Sequence, residues 1–475
     1  MTRKIIPIAS SNPGAGGGEE VGLYEATKKI YPRSVCGMFA RWRWAMVLLT
    51  QLVFYGMPWV EWGGRQMVLF DLAARRFYIF GLVLYPQDLI YLSGLLVISA
   101  LSLFLFTTVA GRLWCGYACP QTVYTEIFMW VEQRIEGNRV ARMRLDTEPM
   151  SLEKLVKKWF KHIVWIGIAM WTGFTFVGYF TSIRELGMAF LQTQMGSWEV
   201  FWVFFYGFAT YGNAGFMREQ VCKYMCPYAR FQSAMFDGDT LIVTYDPGRG
   251  EPRAPRRKGP DPRTMALGDC IDCGLCVQVC PTGIDIRKGL QYECIGCGVC
   301  ADACDTVMQK MAYAPGLIRY DTQNGMEAGW SRRQLLRRVL RPRVLVYTAI
   351  LALLVAALLA SLVMRTPLKV DVVRDRASLA RIAEGGRLEN VYRLQIMNAT
   401  EQPQQYLIAA SGLDGLSVSP DQPVGVEAAQ SRWVAVRLQV PYGSAPPGSH
   451  TVHFSIREEG SGAQVSEKAA FLVPR

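Results

Sequence analysis

The chain has thirteen cysteines, and their spacing indicates redox chemistry more directly than any other feature of the sequence. Eight of them fall in two stretches, CIDCGLCVQVC at 270–280 and CIGCGVCADAC at 294–304. Each stretch has the spacing C-x2-C-x2-C-x3-C, in which the first three thiolates bind one iron–sulfur cluster and the fourth reaches the other cluster. The pattern predicts one [4Fe–4S] cluster on Cys270, Cys273, Cys276 and Cys304, and a second on Cys294, Cys297, Cys300 and Cys280.

Zinc and disulfide bonds are the alternatives at these eight positions. Zinc sites usually use paired C-x2-C units separated by a longer loop, so the unbroken quartets fit zinc poorly. Disulfides are disfavoured on the cytoplasmic side of a membrane. Gly274, Gly296 and Gly298 allow tight turns near the sulfur atoms. Pro281 follows the first quartet as the motif expects, whereas Asp305 follows the second, a departure that removes no ligand.

Four further cysteines form two matched pairs. Cys115 and Cys119 lie in WCGYACP, Cys222 and Cys226 lie in CKYMCP, and each pair is followed directly by proline. In a helix, i and i+4 share a face, and the similar surroundings of the pairs indicate an internal duplication that could bring four thiols together. These thiols could bind another iron–sulfur cluster or a copper ion, cycle between dithiol and disulfide, or be small buried apolar side chains.

Other cofactors find little support in the sequence. Haem usually needs an axial histidine, and the chain has three, of which His162 borders an apolar run while His450 and His453 lie near the C-terminus. The chain has no Walker or G-x-G-x-x-G pattern. We interpret the first 20 residues as a polar leader without the apolar core of a cleavable signal peptide.

Charge is distributed unevenly along the 475 residues. The formal charge is +12, but residues 369–475 carry eleven basic and eleven acidic side chains, so the excess lies upstream, beside apolar runs. This distribution is typical of inner-membrane proteins and argues against nucleic acid as a partner.

Five runs of about 20 apolar residues predict transmembrane helices. They cover Trp44–Trp62, Leu89–Thr108, Ile163–Phe180, Trp198–Phe216 and Val344–Met364. Basic residues mark cytoplasmic loops, and the segment 120–161 has eight of them whereas 182–197 has one. We therefore expect the N-terminus, the 120–161 loop and the 218–343 region in the cytoplasm, and the residues after Met364 in the periplasm.

The residues after the fifth run alternate apolar and polar side chains, as in NVYRLQIMNAT and HTVHFSIREE. This alternation predicts an antiparallel β-sandwich of about 100 residues. Such a module could bind a partner, position a substrate or act as a passive stabilising cap.

The predicted fold class is a multidomain membrane protein. It combines an α-helical bundle of about five transmembrane spans with an inserted two-cluster ferredoxin-like α+β domain and a C-terminal Ig-like β-sandwich. The expected parts are a cytoplasmic segment (1–43), a four-span membrane domain (44–230), a ferredoxin domain (231–343), a fifth span (344–364) and a periplasmic Ig-like domain (365–475).

These features together resemble the CcoG/FixG/RdxA family of cytochrome c oxidase accessory proteins. The resemblance covers nearly the whole chain and rests on the spans, on WCGYACP and CKYMCP, on the two quartets and on the tail. NapH-type membrane ferredoxins share the Cys-x3-Cys-Pro pairs, but the fifth span and the Ig-like tail favour the CcoG family.

The resemblance implies a role in maturing cbb3-type cytochrome c oxidase by reducing Cu(II) to Cu(I) for its copper centre. It implies cluster ligation by the eight quartet cysteines and a redox or copper-binding role for Cys115, Cys119, Cys222 and Cys226. Expected partners are membrane lipid, an unidentified cytoplasmic electron donor, copper, the oxidase or its assembly and copper-chaperone factors, and a second copy in a homodimer. The alternatives are a NapH-like subunit passing electrons between quinone or ferredoxin and a membrane-bound reductase, and a non-redox assembly scaffold.

Overall fold

The computed structural model describes residues 29–256, 266–375, 380–383, 385–460 and 462–474. The predicted polar leader lies outside these residues. The chain forms two compact units. One contains the residues up to Trp59 together with Ser93–Val355, and the other contains Val60–Leu92 together with Ala356–Arg475.

Helices dominate the region before residue 364. They are α1 (Met38–Gly56), α2 (Leu89–Ala110), α3 (Leu113–Tyr117), α4 (Pro120–Glu136), α5 (Arg139–Thr147), α6 (Leu152–Val177), α7 (Ile183–Leu191), α8 (Ser197–Gly212), α9 (Pro227–Met235), α10 (Pro247–Gly250), α11 (Leu275–Gln278), α12 (Val299–Met311), α13 (Gln323–Ala328), α14 (Arg332–Val339) and α15 (Pro342–Val363). Two π-helical turns, Asn213–Met217 and Val221–Met225, separate α8 from α9.

Within the described residues, three helices are long and apolar enough to cross a membrane. They are Pro86–Ala110, which contains α2, then α6 and α15, and they match the second, third and fifth predicted spans. The first predicted span corresponds to α1, which is 19 residues long but carries Arg41 and Arg43 in its first turns. The fourth corresponds to α8, whose 16 residues rise about 24 Å, less than the roughly 30 Å of a hydrocarbon core. The total of five spans therefore stays a prediction.

The region that carries the two quartets is small and mixed α+β. Strand β6 (Ile242–Tyr245) pairs antiparallel with β7 (Ile318–Asp321), and α11 and α12 lie between them in sequence. Alternate strand residues, Val243 and Tyr245, turn inward and pack with Met308 of α12 and with Leu317. This core holds the loops that present the cysteines.

The C-terminal tail forms two antiparallel sheets, as the alternation predicts. The strands are β8 (Leu368–Arg374), β9 (Arg381–Ile382), β10 (Arg387–Asn398), β11 (Gln404–Ser411), β12 (Ser417–Ser419), β13 (Val424–Val426), β14 (Ser431–Pro441), β15 (Gly448–Glu458) and β16 (Gln464–Val473). One sheet has the order β12–β14–β10–β8 with β9 beside β10, and the other has the order β13–β11–β15–β16. Tyr392, Leu394 and Ile396 are fully buried because every second residue of β10 faces the core.

The segment between α1 and α2 belongs to the same unit as the tail, which the sequence analysis did not foresee. Its strands are β1 (Glu61–Trp62), β2 (Arg65–Gln66), β3 (Val68–Asp71), β4 (Arg76–Ile79) and β5 (Leu82–Leu84). Tyr85 donates a hydrogen bond to the carbonyl oxygen of Asn398 at 3.0 Å. Buried Asp88 forms an ion pair with Arg365 at 2.5 Å, so this segment is fastened to the start of the tail.

Candidate redox site

The structure gathers the eight quartet cysteines around two cavities. One is lined by Cys270, Cys273, Cys276 and Cys304. The other is lined by Cys280, Cys294, Cys297 and Cys300, and Cys276 borders it as well. Each cavity therefore brings together three cysteines of one quartet and the last cysteine of the other, which is the grouping that the spacing predicts.

The two quartets have matching local backbones. Gly274 precedes α11 and Gly298 precedes α12, and both adopt positive φ angles of 66° and 72° that favour glycine. The turn made by each glycine carries the chain from the second cysteine of a quartet directly into a helix. Cys276 lies in α11, and Cys300 and Cys304 lie in α12.

The donor set of these cavities fits iron–sulfur clusters. Burial raises the pKa of Cys276 to about 11 and the pKa values of Cys294 and Cys304 to about 12, so the free thiols are protonated at neutral pH. A positively charged metal centre reverses this preference because the thiolate is the metal ligand. In the described part of the chain, no three His, Cys, Asp or Glu side chains converge on a point that would hold a single ion. A cluster instead spreads its ligands over several iron atoms.

The two Cys-Pro pairs have the same local structure. Cys115 lies in α3 and Cys222 lies in the second π-helical turn. Cys119 and Cys226 are the residues immediately before α4 and α9, whose first residues are Pro120 and Pro227. Proline suits the first position of a helix because it has no N–H group to satisfy there.

A second correspondence lies four residues before each pair. Gly111 has φ 55° and Arg218 has φ 41°, so both repeats turn sharply between the preceding helical segment and the cysteines. A positive φ is unusual for arginine. Arg218 is held in place by Glu132 at 2.9 Å and by the carbonyl oxygen of Gly215 at 3.0 Å.

The residue after each proline reaches into the other repeat. Gln121 donates hydrogen bonds to the carbonyl oxygens of Asn213 at 2.9 Å and Arg218 at 3.0 Å. Tyr228 donates to the carbonyl oxygen of Leu103 at 3.0 Å, and its hydroxyl lies 2.5 Å from Oγ1 of Thr107. The repeats are thus interlocked.

This interlocking leaves the thiols of the two pairs near enough to influence one another electrostatically. Burial raises the pKa of Cys115 to about 11 and that of Cys222 to about 12. Negative charge on the neighbouring cysteines of both pairs raises these pKa values further, because like charges at short range disfavour ionisation. Gln232, fully buried in α9, places its amide nitrogen 3.3 Å from Sγ of Cys115.

The first pair lies directly on the loop of the second quartet. A Cβ added to Gly116 would lie 2.9 Å from Cα of Cys297 and from the carbonyl oxygen of Ile295. Tyr117 donates a hydrogen bond to the carbonyl oxygen of Cys297 at 3.0 Å. The Cys115 side chain packs against the same apolar cluster as Cys297, so backbone contact joins the two sets of cysteines.

Arg112 joins three parts of the site. Its guanidinium donates to the carbonyl oxygen of Tyr292, to that of Cys294 at 3.4 Å and to that of Ala229 in α9 at 2.8 Å. Sequence reasoning assigned no role to Arg112, Tyr117 or Gln232, since it considered only the cysteines and prolines of the motifs, although Tyr117 lies inside WCGYACP. The available signal for Arg112 was Gly111, because a glycine directly before it indicates a sharp turn just ahead of WCGYACP.

Comparisons with known protein families match three regions. A 4Fe-4S binding domain matches residues 92–138, a 4Fe-4S dicluster domain matches 217–323, and the Ig-like fold at the C-terminus of FixG matches 358–474. The first region includes Cys115 and Cys119, and the second includes the other pair with both quartets.

Two curated proteins are similar over most of their length. "Nitrogen fixation protein FixG" of Rhizobium meliloti is 38% identical, covering 88% of this chain and 85% of that protein. "Protein RdxA" of Cereibacter sphaeroides is 36% identical, covering 94% of this chain and 98% of that protein. A solved FixG-related protein from Vibrio parahaemolyticus is 24% identical, covers 23% of this chain and 97% of that one, and has a TM-score of 0.21.

Proposed function

Because this chain belongs to the FixG/RdxA family of iron–sulfur electron-transfer proteins, we propose that it reduces Cu(II) to Cu(I) during maturation of cbb3-type cytochrome c oxidase. The observation that carries this proposal is the contact between the first Cys-Pro pair and the second quartet at Gly116 and Tyr117. It places the thiols of the two Cys-Pro pairs, which lie near enough to influence one another electrostatically, beside a candidate one-electron centre.

The eight quartet cysteines would hold the two [4Fe–4S] clusters, which when bound store and release single electrons. The chain itself supplies the surroundings. Apolar side chains of β6, α12 and β7 line the first cavity and exclude water from it. Arg287 lies beside Cys276 and lowers the pKa of that thiol against the effect of burial, which favours the thiolate form that binds iron.

The four thiols of the Cys-Pro pairs would receive the metal substrate. Thiolates are soft ligands that favour Cu(I), so reduction and binding reinforce each other there. Each Cu(II) ion takes up one electron, and a cytoplasmic one-electron donor must replace each electron. The same thiols could instead hold a further iron–sulfur cluster that passes electrons to copper bound nearby. Iron analysis separates the two cases. The protein would contain about eight iron atoms in the first case and about twelve in the second.

Contacts between distant segments support five membrane spans. Asp302, next to the second quartet, accepts hydrogen bonds from the backbone of Phe39 and Ala40 at the start of α1. Segments that pack together outside the bilayer lie on one side of it, so an even number of crossings must separate them. Four helices, α1, α2, α6 and α8, lie between these segments as candidates for crossing. Since α2 and α6 already supply two crossings, α1 and α8 must both cross or both not cross.

Contacts within the second unit set an independent condition on the number of membrane crossings. The segment Val60–Leu92 packs on the tail after α15. Three crossings, by α2, α6 and α15, would place these two parts on opposite sides. A crossing by α8, continued by its π-helical turn to Met217, makes the number even. We therefore propose five spans, with the quartets in the cytoplasm and the tail in the periplasm of the inner membrane.

Serine variants of the Cys-Pro pairs test the copper proposal. We expect Cys115→Ser and Cys222→Ser to retain the iron and sulfide of the quartets but to lose Cu(II) reduction. The protein is reduced with dithionite, the excess dithionite is removed, and Cu(I) is then measured anaerobically with a Cu(I)-specific chelator. Cys36→Ser is the matched control because Cys36 is exposed and belongs to no motif. Unchanged reduction in the two variants would exclude the thiol route. A protein that stays reduced in the presence of Cu(II) would favour the NapH-like alternative.

A further inference from the structure

A cavity of about 430 Å³ lies beside the second Cys-Pro pair. Its walls come from α4, from the start of α6 and from the turn 215–220 that precedes Cys222. The volume is in the range of small-molecule binding sites. The route from the quartets to the thiols leaves this cavity unused.

Basic side chains outnumber acidic ones around the cavity. Lys29, Lys158, Lys161 and Arg218 line it together with Glu132 and Glu219. Arg142, Glu136 and Asp146 are ion-paired to these residues. Five basic groups therefore face four carboxylates, so the network has a net charge of +1, although each basic group is ion-paired with a carboxylate.

The charges of this network are mostly withdrawn from water. Glu132 is completely buried, Lys161 is 4% exposed and Arg218 is 9% exposed. Arg218 holds Glu132 at 2.9 Å and Lys161 holds Glu136 at 2.8 Å. The cations around Glu132 and Asp146 lower the pKa of both carboxyls, so they are ionised at neutral pH. A cleft with an excess of one sign of charge attracts counter-ions, and a bound monoanion would neutralise the net positive charge of this network.

The other wall of the cavity is aromatic. Trp165 is buried beneath it, whereas Phe216 is 61% exposed and stacks on the ring of His162. Helix α6 changes at this point from a stretch containing four lysines to the apolar run that begins at Ile163. In the proposed topology the cavity thus lies at the depth of lipid headgroups, with Phe216 toward the acyl chains.

From these observations we propose that the cavity binds one anionic phospholipid. Its phosphodiester contacts Lys158, Lys161 and Arg218, and its acyl chains lie along Phe216. Basic pockets between transmembrane helices on the cytoplasmic side bind such headgroups. Free phosphate would satisfy the cations but would leave the aromatic wall without a function. The lipid would also hold the Arg218 turn that leads to Cys222, and this inference does not depend on copper as the substrate.

The test is native mass spectrometry of the full-length, cluster-loaded protein in detergent, with added dioleoyl phosphatidylglycerol or dioleoyl phosphatidylcholine. We expect one phosphatidylglycerol per chain, bound in preference to phosphatidylcholine. Lys158→Gln should weaken phosphatidylglycerol binding about fivefold, as expected for the loss of one basic residue. Lys157→Gln is the matched control because Lys157 pairs with exposed Glu153 and does not line the cavity, and it should bind as the parent does.

Phe216→Ser gives a second variant that leaves every charge in place. It should weaken phosphatidylglycerol binding while iron content and unfolding temperature stay at parental values. Equal affinity for the two lipids, or equal binding by the Lys158 and Lys157 variants, would overturn the proposal. Displacement of the lipid by inorganic phosphate, with no effect of Phe216→Ser, would identify a free-anion site and overturn it as well.

Discussion

A glutamine that belongs to no motif sets the surroundings of the Cys115 thiol. The Gln232 side chain is fully buried, and its amide nitrogen lies 3.3 Å from Sγ. The hydrogen bond lowers the pKa of Cys115 against the larger effect of burial, which raises it. A donor held against sulfur stabilises the thiolate. Gln232 therefore positions the Cys115 thiol and lowers its pKa in surroundings that are otherwise apolar.

Replacing Gln232 by leucine should therefore impair the thiol without removing it. The net value of one hydrogen bond to a charged group, about 1.5 kcal/mol, corresponds to roughly a tenfold slower Cu(II) reduction. The variant thiol has a higher pKa, and the thiolate is the form that binds metal. As the pH is lowered, the rate should therefore begin to fall at a higher pH than in the parent. Gln133→Leu, at a half-buried glutamine bonded to Ser34, is the control. A pH–rate profile identical to the parent's would contradict the assigned role.

Spacing alone predicts the cysteine groups, but not the groups that support them. Three thiols within seven residues can approach one centre with local turns only, and Cys304 follows on the same helix as Cys300. Arg112 contacts Cys294 across 182 residues and Gln232 contacts Cys115 across 117. One sequence carries no signal for such distant pairs, because any buried amide or guanidinium would look the same.

Among the secondary-structure elements, the five-residue helix α3 has the largest consequence for function. It follows a turn at Gly111 and ends at Tyr117, whose hydroxyl donates to the carbonyl oxygen of Cys297 in the loop of the second quartet. Gly116 makes this approach possible, because backbone atoms of Cys297 and Ile295 occupy the space that any side chain would need. The distance between the quartets and the thiols is thus set by backbone packing.

Gly116→Ala should separate α3 from that loop. The added Cβ meets backbone atoms at 2.9 Å, which cannot rotate away, and overpacking of this kind costs about 1–3 kcal/mol. We expect a lower unfolding temperature and slower reoxidation of the reduced protein by Cu(II), both measured beside Gly167→Ala. Gly167 has open space around it, so that variant should match the parent. Equal behaviour of the two variants would show that α3 is not closely docked.

Helices and strands were predictable from the sequence where a single pattern of apolar residues continued over most of the element. Helices α2 and α15 follow from unbroken apolar runs, and β10 and β15 follow from alternation over eleven or more residues. The sheet β3–β4–β5 was missed because its strands have only three or four residues each. Helix α6 begins at Leu152, eleven residues before the predicted span, because lysine-rich sequence favours a helix as well as an apolar run does.

At the scale of the whole molecule, the membrane topology connects the proposed chemistry to its compartments. Buried Asp88 accepts from the backbone of Tyr85 at 3.1 Å and binds Arg365 at 2.5 Å. Removing one partner of a buried pair costs about 3–5 kcal/mol. The ion pair therefore fastens the segment between α1 and α2 to the tail, and both must face the same compartment.

Labelling in intact cells tests this arrangement. Leu72 and Tyr442 are 61% and 76% exposed in the second unit, and Val140 is 70% exposed in α5. With a membrane-impermeant thiol reagent, Leu72→Cys and Tyr442→Cys should both react above the background of the native cysteines. Val140→Cys should react only after the membrane is permeabilised. If Leu72→Cys and Tyr442→Cys reacted from opposite sides, an odd number of spans would separate them, and α8 would not cross. In that case Cys115 and Cys222 would lie at opposite faces of the membrane, which contradicts the hydrogen bonds that join the two repeats, and the proposed joint role of the four thiols would fail.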